Sequence, residues 1–298
     1  MWDLDFISES DFENHVRKTI ENYRESLKTM TLKDFNKNII DPVKFAFDKA
    51  LYGISWQELI NNEITRQRDK TNNNYIGYFH QHIFKYIDKC SVPPNGKDGG
   101  WDVIFRNPDG LYFAPNDESN ELVHTIYVEM KNKHNTMNSS SAERTYKKMQ
   151  QQLCDDDDCA CYLVEAIANE SQNVIWETSV EKKKVHHKRI RRVSIDQFYN
   201  IVTGQSDAFY KVCMKLPEVI AKVAPSMQTN ENFDDTVYSE LKNEAKQYKA
   251  GDEDVNLTLA MYMLGFSSYN GFSGVVNVKT DEEDDFLKRI YEYAKRVK

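Results

Sequence analysis

Apolar residues recur at helical spacing through the first third of the chain and change to alternation near residue 100. Phe12, Val16, Ile20 and Tyr23 predict a helix over residues 10–31. Asp41 followed by Pro42 has the form of an N-cap with proline at the first helical position, and the helix carries Phe45, Phe47 and Leu51 before a break near Gly53. Ser55 and Glu58 form a capping box for a helix bearing Trp56, Leu59, Ile60, Glu63 and Ile64. The polar run Arg66-Gln-Arg-Asp-Lys-Thr-Asn-Asn-Asn74 predicts a loop, and residues 76–87 predict another helix.

Pro93-Pro94-Asn-Gly96 and Gly99-Gly100 end that regime. Strand-like runs follow at 101–106, 111–114, 122–131, 160–168 and 173–177, the second of them hairpin-like, with one helix between them at 140–153. A mixed sheet containing a βαβ unit is implied, and ligands commonly bind beyond the carboxyl ends of such strands. Ser194 and Gly204 bracket a helix at 195–203, and a second helix spans 207–223. Residues 224–235 read as a linker, 257–264 as part of a helical C-terminal region, and 267–274 as a loop. The fold class is therefore α/β: helices over 1–90, a mixed-sheet core over 91–223 and a helical part over 224–298, together one compact domain.

Composition narrows the class. The 298 residues suffice for a sizeable core, and no stretch approaches the apolar length of a membrane span. The acidic N-terminus lacks the layout of a signal peptide, so a cytoplasmic protein without membrane contact is expected. Five cysteines argue against a disulfide framework. Cys154-x4-Cys159-x-Cys161 has a zinc-like density, but its spacing fits no common site and its second half reads as buried strand. A net charge of −8 speaks against an unspecific nucleic-acid coat. The charge is unevenly placed, however: residues 181–192 hold seven Lys or Arg against one Glu. A basic face on an acidic body can still meet phosphates.

The candidate chemistry lies at the end of the run Thr125-Ile-Tyr-Val-Glu129-Met-Lys131. Alternation sends Val128 and Met130 one way, Glu129 and Lys131 the other. Taken alone, such a pair is as consistent with two solvated charges. Asp102, at a strand start after Gly99-Gly100, changes that. If its strand neighbours the Glu129 strand, two carboxylates can hold one Mg²⁺ while Lys131 faces the water or phosphate of a phosphodiester hydrolysis. Glu63 is a further candidate ligand, or a solvent-facing glutamate. The amides and charges of Asn132, Lys133, His134, Asn135 and Asn138, and those of Arg66, Arg68 and Lys70, suit phosphates and base edges, and equally suit ordinary loops. Lys182, Lys188 and Arg189 suit phosphate contact, or a solvated β-ribbon.

Asp102 followed by Glu129-Met-Lys131 resembles the PD…(D/E)XK motif of metal-dependent nucleases. The wider context resembles type II restriction endonucleases of the SinI-like group, which cut GGNCC or GGWCC sites. The resemblance is carried by Trp56-x-Glu58 through Arg66-Gln-x-Asp69-Lys70, by Ile76-Gly77-x-Phe79-His80-Gln81 and by Gly100-Trp101-Asp102-Val103. It continues in Val128-Glu-Met-Lys-Asn-Lys-His-Asn-Thr-Met-Asn138, Tyr146-x-Lys-Met149-Gln150, and Tyr262-Met-Leu-Gly-Phe with Ser268-Tyr-Asn-Gly-Phe272. Most of the chain is covered. The resemblance implies a PD-(D/E)XK-like core, Asp102 and Glu129 as metal ligands, Lys131 as the catalytic lysine, and Mg²⁺ as cofactor. It also implies double-stranded DNA as substrate, a homodimer on a palindrome, and a cognate DNA cytosine methyltransferase as functional partner. One departure is that Trp101 stands where the motif has proline. The rival readings are another nuclease on the same core, acting in DNA repair or on RNA, and a catalytically inactive DNA-binding protein.

Overall fold

A computed structural model describes residues 2–38, 40–94, 96–115, 117, 121–227, 234–248 and 252–266. Its helices are α1 (Glu9–Leu27), α2 (Leu32–Asn36), α3 (Pro42–Tyr52), α4 (Trp56–His82), α5 (Ser139–Asp155), α6 (Ile195–Thr203), α7 (Ala208–Val223), α8 (Val237–Ala245) and α9 (Glu253–Phe266). The strands are β1 (Cys90–Ser91), β2 (Val103–Tyr112), β3 (Leu122–Lys133), β4 (Cys159–Ile167), β5 (Asn173–Ile175), β6 (Thr178–Val180), β7 (Lys183–Val185) and β8 (Ile190–Ser194). The chain divides into two compact units, one from Met1–Tyr23 and Asn73–Thr229, the other from Arg24–Asn72 and Asn230–Lys298.

The first unit is built on a six-stranded mixed sheet of order β1-β2-β3-β4-β8-β5. β2 runs antiparallel to β3, and β3, β4 and β8 run parallel. A parallel pair needs a long crossover, and α5 supplies it between β3 and β4. Both faces are covered. Val103, Phe105, Val128, Tyr162 and Val164 form one core with side chains of α1, α6 and α7. On the other face Trp101, Ile104, Leu163 and Ile190 pack with Tyr146 and Met149 of α5. Burial on both faces explains why residues 159–164 of β4 read as an unbroken apolar run before the buried Glu165.

The second unit is helical. Phe35, Phe45, Trp56, Ile60, Leu241 and Met261 meet in its core. Asp41 caps α3 through Val43 N–H at 3.0 Å and Lys44 N–H at 3.1 Å. The capping box of α4 is formed: Glu58 N–H donates to Ser55 Oγ at 3.2 Å, and Ser55 N–H donates to Glu58 Oε2 at 2.9 Å.

Several expectations are corrected. Residues 66–74 are not a loop but the middle of α4, a single 27-residue helix. The run is polar all round, so it carries no periodic signal, yet Arg66, Gln67, Arg68 and Lys70 are good helix formers and no Gly or Pro breaks the helix there. Residues 111–114 do not start a separate strand. β2 continues to Tyr112 past an irregularity between Arg106 and Leu111. There Gly110 adopts φ 74°, and a Cβ on it would lie 2.5 Å from Leu122 Cδ2. The basic run divides: Lys183–Val185 pairs with β6 as a ribbon, whereas Ile190–Ser194 is an interior strand of the main sheet. Arg191 hid that strand. It is fully buried, with Asn173 and Asp117 satisfying its guanidinium. The linker expected at 224–235 begins as a 3₁₀ turn, Ala224–Met227, and the loop expected at 267–274 lies outside the described residues. Among the described residues no helix is long and apolar enough to cross a membrane.

Candidate active site

The alternation of β3 assembles the site. Ile126, Val128 and Met130 are buried in the core, and Glu129 and Lys131 project from the opposite face, half-buried. Asp102 enters from the start of β2. Its backbone N–H donates to Val128 O at 2.9 Å, and its Oδ2 accepts from Met130 N–H at 2.7 Å. These two bonds straddle Glu129 and hold the Asp102 carboxylate beside it. The preceding 3₁₀ turn, Asp98–Gly100, sets this entry with Gly99 at φ 72° and Gly100 at φ 68°, a left-handed backbone that glycine takes without steric cost.

The Glu129 carboxylate accepts two ammonium groups. Lys131 Nζ lies 2.8 Å from Oε1, and Lys148 Nζ of α5 lies 2.9 Å from Oε2. Burial raises the Glu129 pKa, but the two lysines outweigh burial and leave it below the ordinary value. Asp102 behaves oppositely. Burial, and then the negative charge of Glu129, push its pKa up against the Met130 N–H and the lysines. Two neighbouring acids are thus driven apart by their surroundings, a pattern common at functional sites.

A cleft of about 360 Å³ opens over these groups. Asp102, Glu129, Lys131 and Asn132 line it from the sheet, and Asn73, Asn74, Tyr78, His80 and Gln81 from the end of α4. Gln81 Nε2 donates to the Asp102 carbonyl at 3.2 Å. Burial lowers the His80 pKa to about 4, so this wall of the cleft is neutral near pH 7.

The donor set fits a hard divalent cation. Asp102 and Glu129 offer carboxylate oxygens side by side, and the mutual repulsion that raises Asp102 is what a bound cation relieves. Among the described residues no cluster of three or more His, Cys, Asp and Glu is gathered. Glu63 lies in the other unit, where Arg66 at 2.6 Å and Gln67 at 3.0 Å hold its carboxylate.

The other candidate residues are dispersed. Arg66 pairs with Glu63, and Lys70 is exposed on α4. Arg68 is tied to Asp235 and to the carbonyls of Ser26 and Lys28. Lys133 is exposed at the end of β3, and Asn135 sits in a turn at φ 59°. Asn138 is the N-cap of α5, accepting from Ser141 N–H at 2.8 Å. His134 Nδ1 lies 2.9 Å from Glu165 Oε2 and 2.8 Å from Arg192 Nη2. Lys182 is in the exposed β6–β7 turn, while Lys188 and Arg189 bind Glu121. Lys148, Gln81, Glu165 and Arg192 are neighbours that sequence reasoning did not single out. Lys148 lies inside the Tyr146-x-Lys-Met149-Gln150 block, but only the β3–α5 packing brings it to Glu129.

A half-parallel sheet with helices on both faces, and an aspartate beside a Glu-x-Lys at its strand ends, has the layout of a PD-(D/E)XK-like fold. The family model described as Eco47II restriction endonuclease matches residues 4–225, and the chain belongs to that family. It is similar to the type II restriction enzyme Sau96I of Staphylococcus aureus, 29% identical over 251 residues, which are 82% of this chain and 89% of that protein. It is also similar to the type II restriction enzyme Eco47II of Escherichia coli, 26% identical over 240 residues, 77% and 92% of the two chains. The enzyme class is thereby a type II site-specific deoxyribonuclease.

Proposed function

We propose that the chain hydrolyses phosphodiester bonds of double-stranded DNA with Mg²⁺, at a palindrome of the GGNCC or GGWCC kind, as a homodimer beside a cognate cytosine methyltransferase in the cytoplasm. The observation that carries the chemistry is the convergence of Asp102, Glu129 and Lys131 in one cleft at the end of β3. The resemblance to GGNCC and GGWCC enzymes supports the site class. Asp102 and Glu129 would hold the cation, which when bound supplies Lewis acidity toward the phosphate. Lys131 holds and orients the attacking water or offsets charge on the phosphate as the bond breaks. Lys133, Asn135 and Lys182, with Asn132 at the cleft, are the DNA contacts in this reading, whereas His134 spends its Nδ1 on Glu165 and Arg192. Arg66, Arg68, Asn138, Lys188 and Arg189 spend donors or acceptors on protein partners, and Lys70 and Glu63 lie on the helical unit.

Digestion of a plasmid of known sequence tests this. With Mg²⁺ the enzyme yields discrete fragments whose sequenced ends share one palindrome; with EDTA the plasmid stays intact. Glu129→Ala lowers cleavage by roughly 10²-fold or more while leaving DNA binding measurable by gel shift. Full cleavage by that variant would remove Glu129 from the site. Ragged, sequence-independent products would favour the repair-nuclease reading.

A further inference from the structure

Resting on Asp102 and Glu129 as cation ligands, the geometry assigns Lys148 a positioning role distinct from that of Lys131. One carboxylate, Glu129, already accepts two ammonium groups, one on each oxygen. A divalent cation at Glu129 competes with these two ammonium groups for the carboxylate oxygens and is repelled by their charge. The structure distinguishes the two. The described hydrogen bond of Lys131 is to Glu129 alone. Lys148 is docked independently of Glu129: its Nζ lies 2.8 Å from the Gly100 carbonyl and 4.0 Å from the centre of the Trp101 ring.

That socket is built. Trp101 is buried, and its Nε1 donates to Gln152 Oε1 at 2.9 Å, on the same helix one turn beyond Lys148. A Cβ at Gly99 would lie 3.1 Å from Trp101 Nε1, so the glycine leaves room for the indole. Gly100 turns its carbonyl to the ammonium. The segment Gly99-Gly100-Trp101, where tryptophan replaces the proline of the motif, thus forms a seat for Lys148. From it Lys148 holds Glu129 by Oε2 and leaves Oε1, the oxygen bound by Lys131, for the cation.

The two lysines should therefore affect cation affinity in opposite directions. Mn²⁺ is titrated into the full-length chain without DNA, and free Mn²⁺ is read by electron paramagnetic resonance. Lys131→Met removes a competitor and tightens binding. Lys148→Met removes the brace and weakens it about tenfold, as loss of a partner that orients a ligand does. Trp101→Phe keeps the ring but loses the Gln152 bond, and weakens binding less than Lys148→Met. If Lys148→Met binds Mn²⁺ as well as or better than the parent while Glu129→Ala abolishes binding, Lys148 is only a competing charge and the inference fails with the site intact. If Glu129→Ala binds like the parent, the ligand assignment itself fails. Should Lys148→Met not fold, as circular dichroism would show, Trp101→Phe carries the test, and unweakened binding there overturns the inference.

Discussion

A histidine buried in the core of the sheet-bearing unit should make the protein less stable toward acid. His15 is 4% exposed, its Nε2 lies 2.9 Å from the Phe79 carbonyl, and its ring stacks on Phe79. Burial is the main cause that lowers its pKa from 6.5 to about 4. A depressed pKa means that the unfolded chain takes the proton first. The stabilisation is complete above pH 6.5 and is lost as pH falls toward 4, amounting to about 3 kcal/mol for this one residue. Urea midpoints measured across that window should fall, and fall less in His15→Gln, which keeps a donor for Phe79. A slope identical in the two proteins would clear His15 of the effect. Single residues also show where sequence reading stops. Glu129 and Lys131 were legible because alternation along one strand is local. Lys148 was not, because its meaning depends on a helix folding back over that strand. Arg191 misled because a buried arginine looks polar until Asn173 and Asp117 are seen around it.

Helix α4 shows what a local signal can and cannot predict at the scale of an element. Its start was legible, since a capping box is four residues long and carries its own geometry. Its length was not. The chain passes from the helical unit to the sheet unit at Asn72–Asn73, inside the polar stretch of α4, where no apolar stripe exists to be read. Ser55→Ala removes the acceptor for Glu58 N–H and should cost about 1 kcal/mol. A thermal melt of the variant should show a fall of a few degrees, and no change would mean that the first turn is held by packing alone. The strand order was also only partly legible: β3, β4 and the crossover α5 followed from the pattern, but β8 carries two arginines in five residues and did not.

At the scale of the whole molecule, charge and symmetry carry the expectations. The chain is acidic overall, at −8, so binding to DNA depends on local basic residues rather than on a general field. If Lys133, Lys182 and their neighbours meet phosphates, DNA affinity of the Glu129→Ala protein should fall steeply with salt. Sedimentation should show a two-fold dimer, and a supercoiled plasmid should be cut to linear form with little nicked intermediate, because matched subunits reach both strands of a palindrome together. A monomer that only nicks would refute the symmetric reading. The alternation of β3 carries one more consequence. The same step that places Val128 and Met130 in the core places Glu129 and Lys131 in the cleft, and slipping the strand by one residue would exchange the two sets. Loss of the core is then loss of the cleft that Glu129 and Lys131 line. A copy whose β3 is out of register has, by that construction, neither the core nor the Glu129–Lys131 face, so on the proposed reading misfolding and loss of cutting become a single event.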